Sequence, residues 1–320
     1  MAMSTPPTRL KAALQTLGHT SAIKDGSVRM PGFELEFEEV PAIIQAFRRM
    51  VRGLEFDVTE MALTTYITAR AHHKPFTALP IFLVRAFHHG AILYNTTQGI
   101  RGPEDLEGRK VGVSRGYTVT TGVWARSILQ HEHGVDLNRV TWVLSGDEHV
   151  EEFRAPANVV RLESGKTLQD ALVAGELAAT IGVQIAHPDV APLIPDAEEA
   201  GFRALERDGH YPINHLLVVK DTVLKSHPHL AEQLFEAFTA AKRPYLERLG
   251  AGAAGAATLA ELTKADRMYR RVLDITGRDP IPYGIEPNRP MVAALIRYAR
   301  EQQIISRPYE VEELFTRGNS

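Results

Sequence analysis

The stretch RKVGVSRGYTVTTGVWARSILQHEHGVDLNRVTWVLSGDEHV, residues 109–150, decides the fold of this chain. It opens with a short apolar run at residues 110–113, which is typical of a buried strand. A turn rich in Gly and Thr follows at residues 114–121, then a segment with the spacing of an amphipathic helix, then a second apolar run at residues 140–144. The order strand, turn, helix, strand predicts a β-α-β unit.

The turn at residues 114–121 has the features of an anion-binding corner. The first N–H groups of the following helix have no partner inside that helix, and the helix dipole favours a negative charge there. Thr118, Thr120 and Thr121 add hydroxyl groups, and Arg115 adds a positive charge. We therefore expect a small acid with a carboxylate to bind here; the alternative is an ordinary β-α turn with a Thr at the helix N-cap.

The composition is that of an ordinary globular protein. The chain has 320 residues, of which 44% are hydrophobic and 23% charged, and this length is sufficient for two lobes. Its formal charge of −3 gives no reason to expect nucleic acid or an anionic membrane as a partner. Cys is absent, which excludes disulfides, thiolate catalysis, iron–sulfur clusters and thiolate zinc sites.

No targeting segment is recognisable near the amino terminus. Residues 1–9 read MAMSTPPTR, and polar side chains interrupt the apolar residues at 10–17. No apolar run approaches the roughly 20 residues that a membrane span needs. We therefore expect a cytoplasmic protein.

Strand and helix patterns alternate along the rest of the chain. Strands are expected at residues 10–17, 33–39, 56–61, 78–85, 91–94, 158–161, 178–183 and 216–219, and helices at 41–52, 62–71, 168–174, 229–249 and 291–302. An Ala- and Gly-rich stretch at 251–257 is expected to be a loop or a helix edge. Helices between short buried strands indicate an α/β fold with mostly parallel sheets flanked by helices.

Three phrases resemble those of two-lobed, type II periplasmic-binding-protein folds. They are PEDLEGRKVGV at residues 103–113, LVAGELAA at 172–179 and HYPINH at 210–215. The resemblance implies that residues 1–95 plus 210–320 form lobe one and that residues 96–209 form lobe two. A ligand cleft would lie between the lobes, at carboxyl ends of strands and amino termini of helices.

Further phrases are similar to the 4,5-dihydroxyphthalate decarboxylase family. They are RGLEFDVTEMA at residues 52–62, RAFHH at 85–89, YTVTTGVW at 117–124, TWV at 141–143 and DEHV at 147–150, and the similarity runs from about residue 10 to residue 315. The resemblance implies a non-oxidative decarboxylation that yields 3,4-dihydroxybenzoate and carbon dioxide. Because a fold alone does not fix function, two alternatives stay open. One is a non-catalytic aromatic-acid binding protein for transport or sensing, and the other is a relative of the pyrimidine-precursor synthases, whose Cys-rich segment is missing here.

Loss of a carboxylate from such a ring needs an acid near the ring carbon and a base near the phenol. The candidates are Glu60, His19, His149 and His215, since His titrates near neutrality. The apolar residues beside Glu60 lead us to expect a raised pKa for its carboxyl group. The alternatives are a structural role for each His and a helix-capping role for Glu60.

The substrate itself needs cations and polar groups for its carboxylates. Arg85 is the first choice, because a guanidinium group can bind a carboxylate with two parallel hydrogen bonds; an ion pair with a neighbouring acid is the alternative. The other expected substrate contacts are His88, Arg115, Tyr117, Thr118, Thr120, Thr121, Glu148 and Tyr211. The two Tyr rings would stack on an aromatic ligand, or else fill the core.

No cofactor is expected, although a divalent metal ion stays open because catechols chelate such ions. His88 and His89 are adjacent, and neighbouring residues on a strand point to opposite faces. No HExxH motif, phosphate-binding loop or GxGxxG motif occurs. The expected partner is a small aromatic carboxylate, and apolar residues at 297–315 add the expectation of a homo-oligomer.

Overall fold

The computed structural model describes residues 6–250 and 262–316. Its strands are β1 (Thr8–Ala13), β2 (Phe33–Phe37), β3 (Val58–Ala62), β4 (Phe76–Arg85), β5 (Ile92–Asn95), β6 (Lys110–Val113), β7 (Thr141–Leu144), β8 (Val159–Arg161), β9 (Ala179–Ile181), β10 (Val190–Pro192) and β11 (Ile213–Lys220). Its helices are α1 (Ser21–Lys24), α2 (Ile43–Gly53), α3 (Leu63–Ala71), α4 (Thr120–His133), α5 (Leu168–Val173), α6 (Ala197–Asp208), α7 (Asp221–Ser226), α8 (Leu230–Gly250), α9 (Lys264–Thr276) and α10 (Arg289–Glu301). The predicted loop or helix edge at residues 251–257 lies outside the described residues.

The first sheet has five strands in the order β2-β1-β3-β11-β4. β1 is parallel to β2 and β3, whereas β11 is antiparallel to its neighbours β3 and β4. In this register His215 lies opposite Ala62, and Leu217 lies opposite Glu60. Because side chains two residues apart on a strand share a face, Glu60 and His215 project from the same face of the sheet.

The second sheet has six strands in the order β10-β5-β9-β6-β7-β8. The β-α-β unit predicted from residues 109–150 is present as β6, α4 and β7, and β6 pairs with β7 in parallel. Helix α4 ends at Gly134, whose φ of 69° gives the left-handed C-cap that Gly adopts most easily. The turn between β6 and α4 therefore lies at the carboxyl edge of a parallel group of strands.

The predicted α/β class and the two-lobed, binding-protein-like arrangement are confirmed, and both sheets are mixed. Antiparallel pairs occur where β11 enters the first sheet and where β5 and β10 enter the second. Strand β5 belongs to the second sheet. The lobe boundary predicted at residue 95 would therefore assign this strand to lobe one, although it pairs with strands of lobe two. The division of the chain into lobes at residues 95 and 210 stays a prediction.

Four helices, α1, α6, α7 and α9, were not predicted; α1 and α7 are short, and α6 and α9 are rich in charge. Helix α9 begins with a capping box in which Thr263 and Asp266 bond reciprocally, a start signal that the sequence carries. Within residues 6–250 and 262–316, no helix combines the length and the hydropathy that crossing a bilayer requires.

The two lobes contact each other through α4. Trp124 of α4 is fully buried, and its indole N–H donates to the carbonyl group of Ile213 in β11 at 3.0 Å. Gln302, just after α10, accepts from Arg126 of α4 at 2.8 Å and donates to the carbonyl group of Val123 at 3.0 Å. These contacts hold the amino end of α4 against the first sheet.

Candidate active site

Glu60 and His215 form a hydrogen-bonded pair on two adjacent inner strands of the first sheet. Glu60 is fully buried on β3, and its Oε1 lies 2.6 Å from Nδ1 of His215 on β11. The His215 side chain keeps 19% of its exposure. An ionised Glu60 accepts from Nδ1–H, which leaves Nε2 of His215 as the atom able to exchange a proton with a ligand.

The raised pKa expected for Glu60 is wrong in direction. Burial by itself raises the pKa of this carboxyl group, but hydrogen bonds from His215 and Gln15 together hold the pKa below its usual range. Gln15 donates its backbone N–H to Oε2 at 3.0 Å and its side-chain amide to Oε1 at 2.7 Å. The hydrogen bonds from His215 and Gln15 therefore favour the ionised form of Glu60, in which it accepts from both.

A groove of about 430 Å³ adjoins this pair through Gln15, which bonds to Glu60; Glu60 and His215 themselves are not among its lining residues. Its walls are formed by the ends of β1 and β2, the start of α2, and one residue from the turn after β6, Arg115. Gln15 lies in one wall, and Arg115 lies in the other. Among the described residues none forms a hydrogen bond or ion pair with the Arg115 guanidinium group, and the backbone of Arg115 is held at φ 67°. An unpaired cation in a strained conformation is a common feature of ligand sites.

The turn after β6 does bind a carboxylate, but that carboxylate belongs to Glu148. The backbone N–H of Tyr117 donates to Glu148, and Thr118 donates both its N–H at 3.2 Å and its hydroxyl group at 2.6 Å. A Cβ atom at Gly116 would lie 2.5 Å from a Glu148 oxygen, so a larger residue there would displace the Glu148 carboxylate from these donors. In this structure Glu148 takes up the donors of Thr118, and substrate binding by Thr118 stays a prediction.

Tyr117 and Thr120 also have partners inside the protein. The Tyr117 ring is enclosed between Phe153, at a centroid distance of 6.4 Å, and the Arg126 guanidinium group, at 3.9 Å. The Thr120 hydroxyl group accepts from the N–H of Thr64 at 3.0 Å, so it caps α3 and not its own helix. The alternative of a Thr N-cap for α4 is wrong, because the N-cap is Val119. Contact of Tyr117 with an aromatic ligand stays a prediction.

Thr121 remains available for a ligand. It is half-buried, and it lies beside Gly182 at the end of β9. Helix α4 begins at Thr120 with no side-chain cap, so the N–H groups of its first turn have no capping partner. Ser114, which also borders Gly182, adds a half-buried hydroxyl group to the same wall.

His149 lies at the contact between the lobes. It is 4% exposed, its Nδ1 is 3.5 Å from the Thr65 hydroxyl group, and its ring meets Phe47 edge-on at 6.3 Å. The other edge-on neighbour of Phe47 is His215, at 5.0 Å. Burial, with the nearby cations Arg48, Arg115 and Arg52, lowers the pKa of His149 to about 4. The two histidines thus approach one aromatic ring from different lobes, and His149 is neutral at neutral pH.

Helix α2 holds the loop that carries His149. Arg52 donates to the carbonyl groups of Glu148 at 2.8 Å and His149 at 3.3 Å, and Arg48 donates to that of Asp147 at 3.3 Å. Arg52 also forms an ion pair with Glu151 at 2.8 Å. The groove wall itself carries one cation, Arg115, and one acid, Glu39, whereas Arg48 and Arg52 lie at the contact with the His149 loop, outside the groove lining.

Arg85 is buried deeper in lobe one than predicted. It is 4% exposed, and it donates to the Tyr211 carbonyl group at 2.6 Å and to the Asn288 side chain. Its guanidinium group stacks on the Tyr211 ring at 4.6 Å. Two of its three nitrogens thus have neutral partners, and the expected surface ion pair is absent among the described residues.

His19 and His88 are also interior residues. His19 is 1% exposed beside Tyr245 and Tyr269, and burial together with Lys242 lowers its pKa to about 4. Nε2 of His88 is 3.1 Å from the Asn214 side-chain oxygen, and burial lowers the pKa of His88 to about 4. Both are neutral at neutral pH, and direct substrate contact by either residue, or by Arg85 or Tyr211, stays a prediction.

These three low pKa values predict a loss of stability in acid. In the unfolded chain each His has a pKa near 6.5, so between about pH 6.5 and pH 4 the unfolded state binds more protons than the folded state. The free energy of unfolding should therefore fall as the pH falls through this range, by up to about 3 kcal/mol for each His. Urea unfolding at pH 7 and pH 5 measures the difference.

Two variants test whether His88 contributes to this pH dependence of stability. His88→Gln keeps a partner for Asn214 but cannot take up a proton, so its stability should depend less on pH. His229→Gln, at an exposed position, should keep the parent's dependence. An unchanged pH dependence in His88→Gln would contradict the prediction for that residue.

Sequence reasoning missed Gln15, Phe47, Thr65 and the two arginines of α2. Gln15 follows the first strand, but only the adjacency of β1 and β3 brings it to Glu60. Among the described residues, no group of three or more His, Cys, Asp or Glu side chains is arranged to hold a metal ion.

The fold and the inter-lobe groove define a class, the two-lobed α/β proteins built like periplasmic binding proteins. The alkanesulfonate-binding protein SsuA from Xanthomonas axonopodis pv. citri, bound to MOPS, aligns over 98% of this chain and 99% of its own, with a TM-score of 0.55 and 17% identity. The aliphatic sulphonate binding protein SsuA from Escherichia coli aligns over 97% of each chain, with a TM-score of 0.56 and 14% identity. At these identities the likeness concerns the fold alone.

Two curated relatives identify the family. A 4,5-dihydroxyphthalate decarboxylase from Comamonas testosteroni is 30% identical over 326 residues, covering 96% of each chain. Another from Pseudomonas putida is 32% identical over 203 residues, covering 57% of this chain and 76% of its own. No family model matches the chain. The chain belongs to the 4,5-dihydroxyphthalate decarboxylase family, and it is a carboxy-lyase.

Proposed function

We propose that this enzyme converts a hydroxylated aromatic dicarboxylate, 4,5-dihydroxyphthalate, into 3,4-dihydroxybenzoate and carbon dioxide by protonating the ring in the inter-lobe groove. The relatives are named for this substrate. The observation that carries the proposal is the Glu60–His215 pair, whose partly exposed imidazole is joined through Glu60 and Gln15 to a groove that Arg115 also lines.

In the proposed reaction His215 is the proton donor. Protonated His215 gives its Nε2 proton to the ring carbon that bears the departing carboxylate, while the ring hydroxyl group para to that carbon donates electrons. The bond to the carboxylate then breaks, carbon dioxide leaves, and the bonding electrons restore the aromatic ring. Glu60 stabilises the imidazolium through Nδ1, and solvent returns the proton to His215.

Arg115 is the proposed anchor for the carboxylate that remains. Its guanidinium group lines the groove without a partner among the described residues, and such a group can bind a carboxylate through two parallel hydrogen bonds. The free N–H groups at the start of α4 and the Thr121 hydroxyl group lie on the same lobe. Neutral His149 is proposed to accept a hydrogen bond from a ring hydroxyl group.

The test is incubation of the purified protein with 4,5-dihydroxyphthalate in D2O, following carbon dioxide and the product by NMR. Turnover should place one deuterium at the ring position that the carboxylate leaves. Phthalate, which lacks the hydroxyl groups that push electrons to that position, is the control and should not react. Binding of 4,5-dihydroxyphthalate without any turnover would contradict the proposal.

A further inference from the structure

The amide of Gln15 completes the hydrogen bonding of Glu60. Oε1 of Glu60 accepts from both His215, at 2.6 Å, and the Gln15 side chain, at 2.7 Å, while Oε2 accepts from the Gln15 backbone at 3.0 Å. Gln15 is itself half-buried and forms part of the groove wall. A single residue thus contacts both oxygens of the buried carboxylate and also borders the space proposed for the substrate.

We propose that Gln15 is a positioning residue, which keeps Glu60 ionised and aimed at His215 and so keeps the transferable proton on His215. This inference rests on the proposed function. A side-chain amide can donate to a carboxylate and does not itself bind a proton. A second carboxyl group at this position would compete with Glu60 and His215 for the proton. The chemistry of the pair therefore depends on an amide at position 15.

The groups that face Glu60 come from three elements. They are His215 on β11, His19 in the loop after β1, and Tyr269 on α9. The charge of Glu60 raises the pKa of both His19 and Tyr269 without a hydrogen bond to either, while His215 and Gln15 bond to Glu60 directly. Because Gln15 forms no hydrogen bond with His19, a substitution at position 15 should move the titration of Glu60 and leave that of His19 in place.

The test compares Gln15→Met and Gln15→Glu in the full chain, with kcat and KM for 4,5-dihydroxyphthalate measured from pH 4 to pH 9. Loss of one hydrogen bond in Gln15→Met should move the acid limb of the kcat profile up by about one pH unit, with KM changed less than about twofold. Gln15→Glu has nearly the same shape but places two carboxylates together, so one should hold a proton and the acid limb should move further. Gln169→Met, exposed on α5, is the control and should match the parent.

A second readout needs no turnover. The Nδ1 proton of His215, bonded to a carboxylate, should give a strongly downfield NMR signal in the parent that disappears as Glu60 is protonated. That transition should move to higher pH in both Gln15 variants and stay in place in Gln169→Met. Unchanged kcat profiles and an unchanged NMR transition in both variants would overturn the inference. If the parent does not decarboxylate the substrate, the proposed function fails, and the NMR transition alone decides the role of Gln15.

Discussion

Replacement of His215 by Gln is expected to lower kcat for decarboxylation by about 10²- to 10⁴-fold, the range that a positioned proton donor contributes, with KM changed less than about threefold. The glutamine amide can still donate to Glu60, but it cannot deliver a proton to the ring. The pair is intact in the folded chain and only its proton transfer is removed, so the loss should fall on kcat. Steady-state kinetics at several pH values measures it.

His229→Gln is the control for this experiment, since His229 is exposed and distant in sequence from the groove-lining segments. It should retain the parent's kcat. A His215→Gln enzyme that decarboxylates at the parent's rate would show that another group protonates the ring, with His149 as the next candidate.

Replacement of Arg115 by Ala is expected to raise KM by roughly 30- to 700-fold, which corresponds to about 2–4 kcal/mol for a lost pair of charge-assisted hydrogen bonds. Nothing else among the described residues holds this guanidinium group, so the protein should stay folded when it is removed. Thermal unfolding checks the fold, and initial rates or calorimetry with the substrate check the binding.

Arg115→Lys should recover only part of this affinity, because an ammonium group keeps the charge but lacks the planar fork. Arg101→Ala removes an exposed Arg that pairs with Asp105, and its KM should match the parent's. A KM that stays the same in Arg115→Ala would remove this residue from the site and return Arg85 as the leading anchor.

The fold could be predicted because it depends on local patterns. The spacing of apolar residues within 109–150 predicts a strand, a turn and a helix. The predicted bounds of β6, residues 110–113, are those of the structure. The antiparallel entry of β11 between β3 and β4 could not be predicted, because its pairing joins residues more than 120 positions apart. That pairing brings Glu60 and His215 within hydrogen-bond distance of each other.

The pKa, burial and partners of individual residues were harder to predict than their positions in strands and helices. The apolar residues next to Glu60 in sequence suggested a raised pKa, but its actual environment is set by donors 45 and 155 positions away. Arg85 was placed correctly at the end of β4, yet its partners, Tyr211 and Asn288, come from distant segments and draw it into the interior. Burial and partners of this kind follow from the strand order, which a single sequence does not contain.

The carboxylate of Glu148 inside the turn after β6 has a consequence for inhibitor design. A group attached to the same chain acts at an effective concentration in the millimolar range or above. A dissolved anion would therefore have to displace the Glu148 carboxylate, which stays attached beside these donors. Compounds that direct an acid group at the donors of Thr118 would lose that competition. A selective inhibitor should instead carry its acid group toward Arg115, whose guanidinium group has no anionic partner among the described residues.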